Sequence, residues 1–302
     1  MWFKNLRIFR LNRAFDTTPE ALAEALEPFG FQPCGKLDPV RYGWVPPLGR
    51  NGTELIHACN GNIMVCAKRQ EKILPAAVIK EEMEERIIAI SAEEGRSVGR
   101  KERDSIKDEV IFSLMPRALA KSSFDFAYIA PNESWMIANA SSSKRAEELA
   151  SGLREALGSF PAIPLSSHTA PVAAMTSWIR DGAAPAPFTL GEECELQAAK
   201  EGRIIRCKNQ DLTADEILNH INSGMIVSKL ALTWKDTIHF ILDDQLAIKR
   251  VKFEDTLLDK ANDRHAESMA EQFDADFSIM AMELKHFISD LLIALGGENT
   301  SE

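Results

Sequence analysis

The segment from residue 226 to residue 253, IVSKLALTWKDTIHFILDDQLAIKRVKF, decides the fold class. Its three apolar runs, 226–234, 237–242 and 246–253, predict three successive strands, with Asp243-Asp244 at the second bend. Two helices are expected after them, at about 255–271 and 276–295. The second helix carries an apolar stripe, which is typical of a helix that packs on a core.

The rest of the chain mixes strands and helices irregularly. A strand is expected at 2–11, a hairpin at 54–69, a pair of helices at 75–90 and 101–115, and two strands and a helix between 124 and 157. Thr213 is predicted to cap a further helix, with Glu216 as its reciprocal partner. Because no steady strand–helix–strand alternation occurs, the pattern predicts an α+β protein with mixed sheets and packed helices.

Composition shifts divide the chain into four predicted segments. The clearest linker is Gly-Ala-Ala-Pro-Ala-Pro at 182–187, whose small side chains cannot pack a core. The segments are 1–74, an N-terminal α+β part of a central domain; 75–121, a basic helical hairpin; 122–181, a strand–strand–helix unit; and 182–302, a C-terminal α+β domain with acidic terminal helices.

The net charge of −10 is distributed unevenly. Residues 254–302 hold 12 acidic and three basic residues, whereas residues 1–253 hold 32 basic and 33 acidic ones. The densest basic run, 96–107, has five positive charges against two negative ones. Such a cluster can neutralise phosphates, although a solvated helix face explains the same composition.

No enzyme motif occurs in the sequence. A phosphate-binding loop, a dinucleotide-binding glycine pattern, a zinc-protease motif and a serine-nucleophile elbow are all absent. The six histidines are separated in sequence, and the five cysteines form no Cys-x-x-Cys pair, so free thiols are expected. We therefore predict no catalytic residue, no metal site and no cofactor.

The N-terminus and the hydropathy pattern indicate a cytoplasmic protein. Charged residues interrupt the first residues, unlike a signal peptide, and no stretch approaches the length of a membrane-spanning helix. No membrane partner is expected.

Several motifs, spaced along the whole chain, resemble those of the RdgC family of recombination-associated proteins of proteobacteria. They are Trp2-Phe3-Lys4-Asn5-Leu6, Phe31-x-Pro33-Cys34-Gly35, Gly43-Trp44-Val45-Pro46-Pro47, Glu71-Lys72-Ile73-Leu74-Pro75, Lys107-Asp108-Glu109-Val110, Leu114-x-Pro116-Arg117-Ala118, Lys229-Leu230-Ala231-Leu232 and Gln272-Phe273-Asp274-Ala275-Asp276-Phe277.

The resemblance implies a non-enzymatic, DNA-binding protein with an elongated subunit. Members of the family form a ring-shaped homodimer that encircles double-stranded DNA with little sequence preference. They are associated with the nucleoid, with recombination and with replication-fork repair, and they limit the access of RecA to DNA.

The resemblance also implies DNA-binding residues. These are Arg96, Arg100, Lys101 and Arg103, with Lys107 and Arg117 as neighbours, then Lys208 and Gln210, and Lys229 as a weaker candidate. Leu119 stands where relatives can carry phenylalanine and is expected at the dimer interface, with a place in the subunit's own core as the alternative. Asn209 and Met225 replace lysines of relatives, which predicts either weaker DNA binding or a greater dependence on Arg96–Lys107.

Two other functions compete with this one. The acidic C-terminal helices could dock a basic partner, which would make the chain a protein-interaction module without DNA contact. A nuclease or phosphotransferase is the third alternative. Stacking on bases is not expected, because the alternation Phe124-Asp125-Phe126 is typical of a strand that faces a core.

Overall fold

The computed structural model describes residues 1–198, 202–262 and 268–299. The eight helices in these ranges are α1 (Pro19–Leu26), α2 (Ala76–Glu94), α3 (Arg100–Leu114), α4 (Ser143–Leu157), α5 (Pro171–Arg180), α6 (Asp215–Asn222), α7 (Asp255–Asn262) and α8 (Met269–Ala294). The twelve strands in the same ranges are β1 (Leu6–Leu11), β2 (Val40–Val45), β3 (Ile56–Cys59), β4 (Asn62–Ile73), β5 (Leu119–Ala130), β6 (Trp135–Asn139), β7 (Ala162–Pro164), β8 (Phe188–Ala198), β9 (Ile204–Lys208), β10 (Met225–Trp234), β11 (Ile238–Asp243) and β12 (Ile248–Phe253).

The chain forms two compact units that alternate along the sequence. Unit 1 contains Met1–Leu26, Pro46–Val65 and Phe126–Glu302, and unit 2 contains Glu27–Val45 and Cys66–Asp125. Strands β4 and β5 contribute residues to both units. These units are defined by contacts in space, whereas the four predicted segments were defined by composition along the sequence. The division into four segments therefore stays a prediction.

The sheet of unit 1 follows the strand order β6-β1-β12-β11-β10-β8-β9, with β7 paired to β1. These ladders are antiparallel. Strands joined by short turns pair as hairpins, as β10, β11 and β12 do. The α+β class is therefore confirmed, but antiparallel ladders replace the mixed sheets that we predicted for this part of the chain.

The core of unit 1 lies between this sheet and helices α5, α6 and α8. Phe287 of α8 is fully buried, and its ring centroid lies 4.8 Å from that of Phe240 and 5.7 Å from that of Trp234. The apolar stripe predicted for the last helix thus faces the strands of the opening segment.

Unit 2 combines a strand ladder with a helical hairpin. Strand β2 pairs antiparallel with the second half of β4. Helices α2 and α3 pack through a small apolar cluster in which Val98, Ile106 and Val110 are buried. The predicted helical hairpin is confirmed.

Two predictions about helix ends were wrong. Thr213 does not cap α6, because its hydroxyl donates to Asp211 Oδ1 at 2.6 Å and the N-cap residue is Ala214. Helix α7 ends at Asn262, whereas we predicted a helix to residue 271, of which 263–267 lie outside the described residues. Helix α8 begins at Met269 because the Ser268 hydroxyl accepts the Glu271 amide and caps it.

In the parts of the chain that the structure describes, no helix combines the length and the apolar character that a bilayer crossing requires.

Candidate nucleic-acid interface

The basic run predicted from the sequence lies where α2 turns into α3, in unit 2. We call residues 94–107 the hairpin tip. Gly95 ends α2 with a positive φ of 64°, and its amide donates to Ser91 O. Gly99 then precedes α3 as its N-cap residue. Two glycines close together let the chain reverse within five residues, which brings the charges of both helix ends to one place.

Arg96 is held by two carboxylates of the hairpin tip. Its Nη1 and Nη2 atoms donate to the two oxygens of Glu102, each at 2.7 Å, and Nη2 lies 2.6 Å from Glu94. The hydrogen bonds with Glu102 are the largest cause of the raised pKa of Arg96, and they lower the pKa of Glu102. The positive charge of Arg96 is therefore compensated within the chain.

Other cations of the hairpin tip are free to meet an anion. The side chains of Arg100, Lys101 and Lys107 are exposed, and the described residues offer them no ion pair. Arg103 is also exposed, and its Nε donates to Val98 O at 3.3 Å. Arg100, Arg103 and Lys107 follow a spacing of three and four residues, which places them along one side of α3.

Arg117 and Leu119 lie beyond the far end of α3. The 15-residue helix separates Arg117 from Arg100 by about 22 Å along the axis. Arg117 is exposed in the 3-10 turn Met115–Arg117. Leu119 opens β5 and is 79% exposed, so the alternative that placed it in the subunit's own core is wrong.

Phe124 does not face a core, contrary to our prediction, whereas Phe126 is half-buried and packs against the core of unit 1 as predicted. Phe124 is 52% exposed, and the buried residue of this part of β5 is Asp125. Lys68 Nζ lies 4.4 Å from the ring centroid of Phe31 and 5.8 Å from that of Phe124. The alternation of the strand is present, but its polar position points inward. Sequence alternation gives the period of the two faces and leaves open which face is buried.

The remaining predicted residues lie in unit 1. Lys208 and Lys229 line a cavity of about 250 Å³ on the sheet formed by β8 to β12, and Gln210 lies outside its lining. We call its charged lining the basic sheet face; its members are Glu193, Glu195, Arg206, Lys208, Lys229 and Arg250. Four cations and two carboxylates leave an excess of positive charge.

Lys229 and Lys208 differ in their partners on the basic sheet face. Lys229 Nζ donates to Glu195 at 2.7 Å, and Arg206 Nε donates to the other oxygen of Glu195 at 2.8 Å. Burial alone would raise the pKa of Glu195, but the hydrogen bonds from Lys229 and Arg206 outweigh it and lower that pKa to about 2. Lys208 is exposed, without an ion pair to any described residue. Lys229 is thus bonded to Glu195, whereas Lys208 is exposed and its charge is not compensated by any described residue.

Gln210 follows Lys208 after a turn residue, Asn209, whose φ is +52°. The Gln210 backbone amide donates to Glu192 O at 3.3 Å, and its side chain is exposed. The predicted pair Lys208 and Gln210 is therefore accessible at the end of β9.

Two arginines of the basic sheet face were missing from the predicted site. Arg250 donates to Glu193 at 2.6 Å from a position with a φ of +50°, and Arg206 contacts Glu195. The signal was present, since both belong to short basic clusters. The apolar and polar residues of 248–253 alternate imperfectly, so the sequence does not determine which side chains share a face. The structure shows the cause, an irregularity in the pairing of β11 with β12.

Within residues 1–198, 202–262 and 268–299, no group of three or more histidine, cysteine, aspartate or glutamate side chains is placed to hold a metal ion.

The comparisons with known proteins agree over nearly the whole chain. A family model described as "Putative exonuclease, RdgC" matches residues 1–298. The Recombination-associated protein RdgC of Aeromonas hydrophila is 45% identical over 302 residues, which is 100% of both chains. The proteins of the same name from Psychromonas ingrahamii and Tolumonas auensis are 43% identical over 301 residues and 42% identical over 299 residues. These matches cover 99% of this chain and 100% and 99% of the two relatives.

The two kinds of description differ about activity. The family model is described as an exonuclease, whereas the names of the relatives refer to recombination and to no enzyme. Both carry the family name that the motifs indicated, so the predicted resemblance is confirmed. The chain belongs to the RdgC family of recombination-associated proteins.

Proposed function

We propose that the protein binds double-stranded DNA without sequence preference, as a ring-shaped homodimer that encircles the duplex. In this role it would act in DNA recombination and replication-fork repair by limiting the access of RecA, in the cytoplasm and on the nucleoid. It would need no cofactor and would cleave nothing. The names of the relatives support the connection with recombination.

One observation carries the proposal: both basic surfaces of an acidic chain carry exposed cations that form no ion pair with any described residue. Arg100, Lys101 and Lys107 provide them at the hairpin tip, and Lys208 on the basic sheet face. Cations that are not neutralised by their own chain can replace the counterions of a phosphate backbone, and they do so without reading bases.

The exposed leucine at the start of β5 supports a dimer. Leu119 is 79% exposed, so its side chain is available to a second subunit, and covering it there would remove apolar surface from water. An apolar residue at a ring closure would give the contact that the family resemblance assigns to Leu119. The smaller leucine would hold that contact less tightly than phenylalanine.

The protein-interaction alternative receives less support, because carboxylates of the C-terminal helix contact their own chain. Asp290 accepts a hydrogen bond from Trp234 Nε1 at 2.9 Å and lies 3.1 Å from Lys235 Nζ. Burial opposes ionisation of Asp290, yet these partners lower its pKa. Asp274 lies 3.2 Å from His57 Nε2.

The test measures binding of the full-length protein to two unrelated duplexes of equal length, by fluorescence anisotropy at several salt concentrations. We expect equal affinities and a steep loss of affinity with salt. Arg100→Glu and Lys208→Glu should weaken binding to both duplexes alike. Arg154→Glu, a change of the same charge at an exposed position of α4, should leave binding unchanged.

Four outcomes would contradict the proposal. Absence of an anisotropy change at low salt would favour the interaction module. Selective loss for one duplex would show base recognition. Release of labelled nucleotides in the presence of Mg²⁺ would establish exonuclease activity. A mass of one subunit in light scattering would exclude a ring of two subunits.

A further inference from the structure

Two cysteines face each other across the edge of the sheet in unit 1. Cys194 of β8 is directly opposite Cys207 of β9 in the antiparallel register. Residues opposed in this way have Cα atoms about 4.5–5.5 Å apart, which lies inside the range of about 4.4–6.8 Å found for disulfides. The neighbouring pair, Glu195 and Arg206, holds the same register through a hydrogen bond of 2.8 Å.

Both thiols are buried and close to each other. Cys194 is 5% exposed and Cys207 is 8% exposed. Burial first, and then the adjacent Cys207 thiol, raise the pKa of Cys194 to about 12. Since the thiolate is the reactive form, the closed sheet protects the pair at neutral pH.

The position of β9 provides a route to reaction. β9 has five residues and pairs with β8 alone among the described strands, as the last strand in the order. Local opening of an edge strand breaks only one ladder and costs less than global unfolding. Opening would expose both thiols together and remove the burial that raises the pKa of Cys194.

The other cysteines are not opposite a cysteine in the described ladders. Cys66 is opposite Val45 and Cys59 is opposite Asn62. Cys34 lies outside the described strands, where its thiol donates to Gln70 O. Within the described ladders, Cys194 and Cys207 are the cysteine–cysteine pair.

We propose that Cys194 and Cys207 are a peroxide-responsive dithiol that closes into a reversible cross-strand disulfide and fastens β9 to β8. One thiolate attacks hydrogen peroxide: an S–O bond forms, the O–O bond breaks, and the released hydroxide takes a proton to become water. The second thiolate then attacks the sulfenic sulfur: the S–S bond forms, the S–O bond breaks, and a second water leaves. Two thiols are oxidised and one peroxide is reduced to two waters.

The consequence is a fixed edge strand. Cys207 lies between Arg206 and Lys208, so the bond would hold the strand that carries these two cations. The proposal does not depend on what those cations bind.

The experiment maps disulfides in the full-length protein after mild peroxide treatment. Free thiols are alkylated after denaturation, and peptides are separated without reductant; Arg203 allows trypsin to cleave between the two cysteines. We expect the Cys194 peptide linked to the Cys207 peptide and released by dithiothreitol. Linking should accelerate at low urea concentrations that open β9, and oxidation should slow amide hydrogen exchange in β9.

Two variants serve as controls. Cys34→Ser combined with Cys59→Ser removes the two half-buried thiols and should leave the linked peptide unchanged. Cys207→Ala should abolish both the link and the slower exchange. Recovery of alkylated Cys194 and Cys207 from oxidised wild-type protein would overturn the proposal, as would links to other cysteines in their place. The wild-type map decides the question even if Cys207→Ala does not fold.

Discussion

Arg96 provides the sharpest test of the proposed contact between the hairpin tip and DNA. The family resemblance assigns it to phosphate contact, but in the structure both of its terminal nitrogens contact carboxylates. We compare two changes: Arg100→Gln, which removes an unpaired cation, and Arg96→Gln combined with Glu102→Gln, which removes a bonded pair. The double substitution leaves the net charge of the hairpin tip unchanged, so long-range attraction of DNA is the same as in wild type.

The expected magnitude follows from counterion release. Each phosphate contact contributes about 0.9 to the slope of log affinity against log salt, which is about 3.5-fold in affinity between 50 and 200 mM salt. In the proposed homodimer, Arg100→Gln removes one cation from each subunit and should therefore lower the slope by about 1.8. The double variant should keep the wild-type slope, because Arg96 releases no counterion while it is neutralised by Glu94 and Glu102.

The assay is fluorescence anisotropy of a labelled duplex across at least four salt concentrations, with Arg154→Gln as the control for loss of an exposed arginine. Circular dichroism verifies that α2 and α3 remain helical in each variant. A double variant whose slope falls as far as that of Arg100→Gln would refute the reasoning. It would mean that Arg96 leaves its carboxylates for a phosphate in the complex.

Three further predictions concern stability and assembly. Glu195→Gln should destabilise the fold by about 1.5–3 kcal/mol at neutral pH, since charged hydrogen bonds from Lys229 and Arg206 are lost. The pKa of Glu195 is lowered to about 2 in the folded state. The difference in free energy of unfolding between wild type and Glu195→Gln, measured by urea unfolding, should therefore be complete above about pH 4.5 and vanish as the pH falls towards 2. A difference that persists at pH 2 would contradict this. Phe287→Ala should cost about 3–5 kcal/mol in the same assay, because the ring is fully buried against Phe240 and Trp234, and a cost below about 1 kcal/mol would contradict its place in the core. Leu119→Asp should shift the protein towards monomers in light scattering without lowering its thermal stability, and Leu119→Phe should tighten the dimer. The control is Ile293→Asp, at a position that is 74% exposed. An unchanged dimer in Leu119→Asp would exclude Leu119 from the interface.

Local signals in the sequence were strong enough to place many elements. Helix α5 spans Pro171–Arg180, and its first residue is a proline, which favours the first helical turn. The turn at Asn60-Gly61 joins β3 to β4, since both residues adopt positive φ, as a tight hairpin requires. The hairpin of α2 and α3 follows from its apolar spacing.

Competing contacts explain the errors. Thr213 had the right spacing for a capping box, but Asp211, two residues away, takes its hydroxyl. The start of α8 depends on Ser268, whose side chain caps the helix about two turns before the predicted position. Each outcome depends on which partner is nearer in space, and spacing in sequence does not decide that.

The sequence by itself determined the class of elements, the uneven distribution of charge and the family, because these depend on residue type, on period and on order along the chain. Tertiary structure alone decided which cations are free. Arg96 belongs to the same basic run as Arg100, and Lys229 carries the same charge as Lys208, yet carboxylates close to Arg96 and Lys229 in the fold neutralise these two. The electrostatic interaction of two charges depends on their separation in space, and only folding fixes that separation.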